Sequence, residues 1–120
     1  MDEPAVLIVN TAGVIQSWSR GAEQLLGHQE SVARGKTLDL IVPEEHRDEH
    51  WAGFHRAMAA GSSMLDGAAA VLPVVCRDGR VRQFAGRLSL LRDAAGRVVG
   101  AMAVYVDTAE VTAPLPVLGG

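Results

Sequence analysis

The chain has 120 residues, 48% of them hydrophobic and 21% charged, which fits one domain with a packed core and excludes global disorder. Its formal net charge of −3 argues against a nucleic-acid partner, which normally meets a basic face, and the single cysteine, Cys76, excludes an internal disulfide and a multi-cysteine zinc site. No apolar run approaches the roughly 20 residues of a membrane span and the start is acidic, so we expect a cytoplasmic domain without a membrane contact.

The N-terminal part of the chain predicts a hairpin followed by a short helix. Two β-rich runs, 5–9 (AVLIV) and 14–18 (VIQSW), flank a glycine-containing turn, as the strands of a hairpin do. Ser19 is placed to cap a helix over 20–26, and Gly27 is placed to end it.

A longer helix is predicted over 44–60, after one or two short helical turns within 28–42. Pro43 suits the first turn of that helix, and the acidic residues that follow it suit the positive end of the helix dipole. Gly61 suits the C-terminal stop.

The C-terminal half predicts a three-strand meander. Two turn signals, RDGR and RDAAGR, separate three extended runs, and a proline interrupts the first run at Pro73. Strands that are segregated from helices predict an α+β fold, with an antiparallel sheet covered by helices on one face. The three strands are expected over 68–76, 81–91 and 98–106.

The domain is expected to span residues 5–108. Residues 1–4 are predicted to be an N-terminal tail, and the proline-containing segment 109–120 is predicted to be a linker or tail.

An ordered set of short motifs resembles the PAS family of sensory domains. Residues 13–27 (GVIQSWSRGAEQLLG) are similar to the opening pattern of that family, G-x-I-x-x-W-N-x-A-A-E-x-L-x-G. The resemblance implies a five-stranded antiparallel sheet in the order 2-1-5-4-3 with helices on one face, and a signal-input or dimerisation module rather than an enzyme. Further matching pieces are GKTL (35–38), LIVPE (40–44), RDG (77–79) and DAAGRVVG (93–100).

The predicted 44–60 helix is rich in histidine. His50, Phe54 and Met58 share one helical stripe at i, i+4 and i+8, and Trp51 borders it. If that stripe faces the sheet, His50 points into an apolar pocket, where a neutral imidazole nitrogen can coordinate haem iron.

The same segment resembles haem-binding PAS domains, such as those of rhizobial oxygen-sensor kinases and haem-regulated phosphodiesterases. Residues 42–50 (VPEEHRDEH) are similar to their I-P-x-x-x-R-x-x-H pattern, which implies haem b with His50 as the proximal axial ligand. The resemblance also places Gly86 and Leu88 on the distal side, and it places Ala70 where many relatives carry an arginine. Because Gly86 is small, a roomy pocket is expected. The residues expected to hold the porphyrin by apolar contact are Trp51, Phe54, Met58, Val71 and Leu88, and Met58, Met64 and Met102 are candidate sixth ligands.

Several functions remain open at this point. The first is a haem-bound sensor of a diatomic gas or of redox state, a homodimer that serves an output domain such as a histidine kinase or a cyclic-nucleotide enzyme. The second is a cofactor-free PAS module for dimerisation and signal relay, in which His50 is structural or faces solvent; another small ligand is a third possibility. The sequence 46–50 (HRDEH) also fits the zinc-protease pattern H-x-x-E-H, but no third ligand is evident.

Overall fold

A five-stranded antiparallel sheet forms the centre of the fold. A computed structural model describes residues 3–63 and 66–107. The predicted α+β class and strand order are confirmed, since the order across the sheet is β2-β1-β5-β4-β3. The strands are β1 (Ala5–Asn10), β2 (Ile15–Trp18), β3 (Ala69–Val75), β4 (Val81–Arg92) and β5 (Val98–Asp107).

Among the described residues, three helices lie between the first hairpin and β3: α1 (Arg20–Leu26), α2 (Glu30–Ala33) and α3 (Arg47–Ala60). The predicted cap of α1 is confirmed, because the Ser19 side chain accepts a hydrogen bond from the Ala22 N–H. Within the described residues, none of the helices is long and apolar enough to cross a membrane. Single 3₁₀ turns lie at Leu38–Leu40 and Glu44–His46.

The long helix begins three residues later than the sequence predicts. Its expected first turn, Glu44–His46, is a 3₁₀ turn in which the His46 N–H donates to the Pro43 carbonyl over 2.9 Å. Regular α-helix then runs to Ala60, and Gly61 ends it with a φ of 69°.

The expected break at Pro73 is wrong. Strand β3 continues through Pro73, which pairs with Gln83 of β4. Because β3 is an edge strand, one of its sides carries no hydrogen-bond ladder, and proline is tolerated there. The expected tail over 109–120 and the end of the domain at 108 lie outside the described residues.

The two faces of the sheet have different roles. Cross-strand partners share a face, so the register assigns every strand residue to one of them. We call the face that carries the buried core the inner face; buried residues of α1 and α2 join that core, so the helices cover this face. Its strand residues include Leu7, Val9, Ala70, Leu72, Val74, Phe84, Gly86, Leu88, Ala103 and Tyr105.

Candidate functional site

Helix α3 lies against the inner face, yet none of its 14 residues is fully buried. Trp51 and Phe54 pack against the core from the helix, and Leu88 and Ala101 do so from the sheet. All four side chains remain only partly buried. The contact between α3 and the sheet is therefore apolar and incompletely closed. The half-buried residues of α3 are His50, Trp51, Gly53, Phe54, Ala57 and Met58, as well as Arg47 at its start.

Polar contacts attach the first half of α3 to the preceding segment. The indole Nε1 of Trp51 donates to Asp39 Oδ1 over 2.7 Å. The guanidinium of Arg47 donates to the carbonyl oxygens of Val42 and Asp39, each over 3.2 Å. The Trp51 ring also lies where a Cβ on Gly13 would sit, so the turn between β1 and β2 supports the ring.

Substituting Gly13 is expected to disturb this support. Gly13→Ala should destabilise the domain by about 1–3 kcal/mol more than Gly35→Ala, because the new methyl group overlaps Trp51. Both glycines have positive φ, 77° and 86°, but no atom lies within 4 Å of a Cβ built on Gly35. Urea unfolding of the two variants measures the difference, and equal losses would contradict the contact with Trp51.

His50 has a buried nitrogen without a hydrogen bond. Its ring stacks on Phe54 at 6.1 Å and meets Trp51 edge-on at 5.1 Å. Within the described part of the chain, Nδ1 finds no hydrogen-bond partner, which costs about 1–3 kcal/mol for a buried polar group. Burial lowers the pKa of His50; the Asp39 carboxylate opposes this shift and His55 adds to it. The imidazole is therefore neutral near pH 7.

These features match the requirements of an axial haem ligand. A neutral imidazole with an available nitrogen is the donor that haem iron takes from histidine. Phe54, Met58 and Leu88 offer apolar side chains on the two sides of the interface, which suits a porphyrin. The carboxylate of Asp39, which acts on the pKa of His50, already accepts a hydrogen bond from Trp51.

The sheet contributes some of the predicted residues but not all of them. Gly86 and Leu88 both lie on the inner face, and Ala70 and Leu72 face the same way. Val71 does not, because it pairs with Ala85 and lies on the opposite face. The prediction that Val71 lines the same pocket is corrected on that ground.

The strand register also tests the candidate sixth ligands, the methionines. Met102 pairs with Ile8 and Ser89 on the outer face, so it cannot reach a ligand between α3 and the sheet. Met64 lies outside the described residues. Met58 is half-buried on α3.

The expectation of extra space at Gly86 is wrong. A Cβ on Gly86 would lie 2.7 Å from Tyr105 Cδ1, so the tyrosine ring takes the space that a larger side chain would need. Tyr105 is 6% exposed and packs near Phe84, with ring centroids 6.4 Å apart. The sequence carried a signal for Tyr105, since it is in phase with the inward Ala101 and Ala103.

Tyr105 should make the stability depend on alkaline pH. Burial raises the pKa of Tyr105 to about 12, whereas an unfolded tyrosine ionises near 10. The unfolded chain therefore loses this proton first as pH rises, and folded stability falls by up to about 1.4 kcal/mol per pH unit above pH ~10. Tyr105→Phe should remove that part of the decline, as measured by urea unfolding between pH 9 and 11 (about one pH unit on either side of the unfolded pKa). If the free energy of unfolding fell equally with pH in the wild-type protein and in Tyr105→Phe, Tyr105 would not be the cause of the decline.

Three other features contribute nothing to the α3 site. Within residues 3–63 and 66–107, no group of three or more His, Cys, Asp or Glu side chains could hold a metal ion, so the H-x-x-E-H pattern gains no third ligand. Cys76 is buried, its pKa is raised by burial, and its sulfur lies 4.0 Å from the Leu25 carbonyl oxygen. A separate cleft of about 740 Å³ is lined by Ile15, Gln16, Glu23, Gln29, Glu30, Ser31, Arg34 and Gly35.

The fold and the family comparison agree on the class of protein. The PAS fold family matches residues 3–107, and the chain belongs to that family. The PAS domain of a protein from Colwellia psychrerythraea has a similar structure, with a TM-score of 0.74 at 16% identity over 90% of this chain and 88% of the other. A light-oxygen-voltage domain studied with a flavin analogue gives a TM-score of 0.69 at 20% identity, over 90% of this chain and 79% of the other.

A curated relative is the sensor protein FixL of Bradyrhizobium diazoefficiens. It is 28% identical over 75 residues, which make up 62% of this chain. The chain covers 15% of the length of that relative, and 8% of the length of a second relative from Azorhizobium caulinodans that is 31% identical over 62 residues. The chain is thus a PAS domain, and PAS domains serve as signal-sensing modules.

Proposed function

We propose that this PAS domain binds haem b through His50 and senses a diatomic gas or a change of redox state. The observation that carries the proposal is the buried, unpartnered Nδ1 of a neutral His50 beside half-covered apolar side chains. The similarity of residues 42–50 to rhizobial oxygen-sensor kinases, and the partial match to a rhizobial sensor protein, support it.

Each residue has a defined task in this proposal. His50 would supply one nitrogen ligand, and its burial favours the neutral imidazole near pH 7, in which one of the two ring nitrogens carries no proton. Phe54, Met58, Leu72 and Leu88 would hold the porphyrin by apolar contact and exclude water from it. Haem supplies an iron centre that binds small gases and changes oxidation state.

Helix α3 is attached to the preceding 3₁₀ segment at its start and to the sheet at its end. Asp39 and Arg47 attach its N-terminal half, and Arg92 of β4 donates to the Gly61 carbonyl at its C-terminal end over 2.7 Å. A ligand that binds better to one position of α3 would stabilise that position, and with it the matching position of the ends of β4 and β5. Signalling requires different ligand affinities in the two positions.

The partners follow from this role. We propose an output domain, such as a histidine kinase or a cyclic-nucleotide enzyme, in a longer chain, and a homodimer as the assembly. The outer face of the sheet supports a partner surface, because it carries partly buried apolar side chains that belong to no part of the buried core. They are Val6, Ile8, Val71, Met102, Val104 and Val106.

The same outer face favours a second candidate, a cofactor-free module for dimerisation and relay. An absorption titration of the purified protein with hemin separates the two. The haem proposal predicts saturation at one hemin per chain with a sharp Soret band that shifts on reduction and on addition of carbon monoxide. A spectrum identical to that of free hemin would overturn it and favour the relay module.

A further inference from the structure

We infer that Asp39 is a positioning residue that fixes α3, and thereby the direction of the His50 imidazole. The inference rests on the proposed function only where hemin is used to detect the effect. The contacts of Asp39 are those of the ligand-free protein.

Asp39 contacts α3 on both sides of His50. Its Oδ1 accepts from Trp51 Nε1 over 2.7 Å and lies 3.8 Å from Arg47 Nε, while its carbonyl oxygen accepts from Arg47 Nη2 over 3.2 Å. Arg47 and Trp51 are one helical turn apart, so they lie on the same side of α3. Asp39 itself is held in its 3₁₀ turn, where the Thr37 hydroxyl accepts from the Asp39 N–H.

The contacts of Asp39 contribute strongly to the orientation of α3, because packing against the core fixes that orientation only in part. None of the residues of α3 is fully buried, so the packing of Trp51 and Phe54 against the core restrains rotation of the helix about its axis only in part. A small rotation would turn His50 towards solvent and away from the inner face. The bond from Trp51 to Asp39 opposes that rotation one residue from His50.

The required property of Asp39 is an acceptor oxygen directed at Trp51. An asparagine keeps such an oxygen in the same place, whereas an alanine removes it. Hemin binding should therefore weaken at least about tenfold in Asp39→Ala, with a broadened Soret band, and stay within about threefold of wild type in Asp39→Asn. Trp51→Phe keeps an aromatic ring but removes the N–H donor, so it should match Asp39→Ala, and the double variant should be no worse than either single one.

The indole N–H signals in a ¹H–¹⁵N spectrum provide a readout without hemin. Trp51 and Trp18 are the two tryptophans of the chain, and Trp18 Nε1 donates to the His28 carbonyl over 2.9 Å, away from Asp39. In Asp39→Ala the Trp51 signal should move and exchange with water at least about tenfold faster, while the Trp18 signal stays in place. Asp78→Ala is the matched control, because the Asp78 carboxylate accepts from Arg80 N–H in an exposed turn.

The outcomes are distinct. Wild-type hemin affinity and spectrum in Asp39→Ala would overturn the inference, and so would a loss in Asp39→Asn equal to that in Asp39→Ala. If wild-type protein takes up no hemin, the proposed function fails. The inference is then decided by the His50 ring signals of the hemin-free protein. A change of those signals in Asp39→Ala but not in Asp39→Asn supports it, and unchanged signals overturn it.

Discussion

Replacing His50 by alanine is expected to weaken hemin binding by more than about 100-fold. Loss of an outer-shell partner of a metal ligand already weakens metal binding by about 10–100-fold, and loss of the ligand itself exceeds that. The alanine variant should gain stability or keep it, because the substitution also removes a buried nitrogen that has no hydrogen bond. Hemin titration followed by absorption measures the first effect, and thermal unfolding of the hemin-free protein measures the second.

His55 provides the matched control for this variant. It lies on the same helix, stacks on Trp51 at 5.5 Å and is exposed. His55→Ala should bind hemin within about threefold of wild type, since its side chain is exposed. Added imidazole should restore the wild-type spectrum to His50→Gly, where the shortened side chain leaves room for it. Tight hemin binding by His50→Ala with an unchanged Soret band would contradict the assignment.

Replacing Phe84 by alanine is expected to have the largest effect on stability. Phe84 is 0% exposed, and within the described part of the chain it is the largest side chain with no exposed surface. Burial of a phenylalanine makes its truncation cost about 3–5 kcal/mol, which lowers the Tm of a domain this size by more than about 10 °C. The neighbours offer little to refill the space, because Gly86 is small and the Tyr105 ring is already packed against it.

Two further variants test the cause of that loss. Phe84→Leu removes less volume and should cost about 1–2 kcal/mol. Val81→Ala changes a side chain that is 49% exposed on the same strand, so it should stay within about 0.5 kcal/mol of wild type. Denaturant unfolding of the three variants measures their losses of stability and ranks them. A loss in Phe84→Ala no larger than in Val81→Ala would contradict the packing described for the inner face.

Local signals explain why much of the fold was predictable. Ser19 and Gly27 mark both ends of α1 by chemistry that acts within a few residues, and the helix begins and ends where they indicate. The strand order does not follow from local signals, because the pairing of β1 with β5 joins residues 90–100 apart in the chain. That order came from the resemblance to the PAS family.

The candidate site was predictable on the helix but not on the sheet. The stripe of His50, Phe54 and Met58 follows from helical spacing alone. The side of β3 that Val71 takes depends on its register with β4, and a shift of one residue reverses every side chain. The bond between Trp51 and Asp39 joins two helical elements across 12 positions, and no periodicity selects that partner.

Resonance Raman spectroscopy of the reduced, hemin-loaded protein tests the coordination of iron by His50. An iron–imidazole stretching band is expected in the wild-type protein and in His55→Ala. The band is expected to be absent in His50→Ala. A band of unchanged position and strength in His50→Ala would show that another residue binds the iron and that His50 does not.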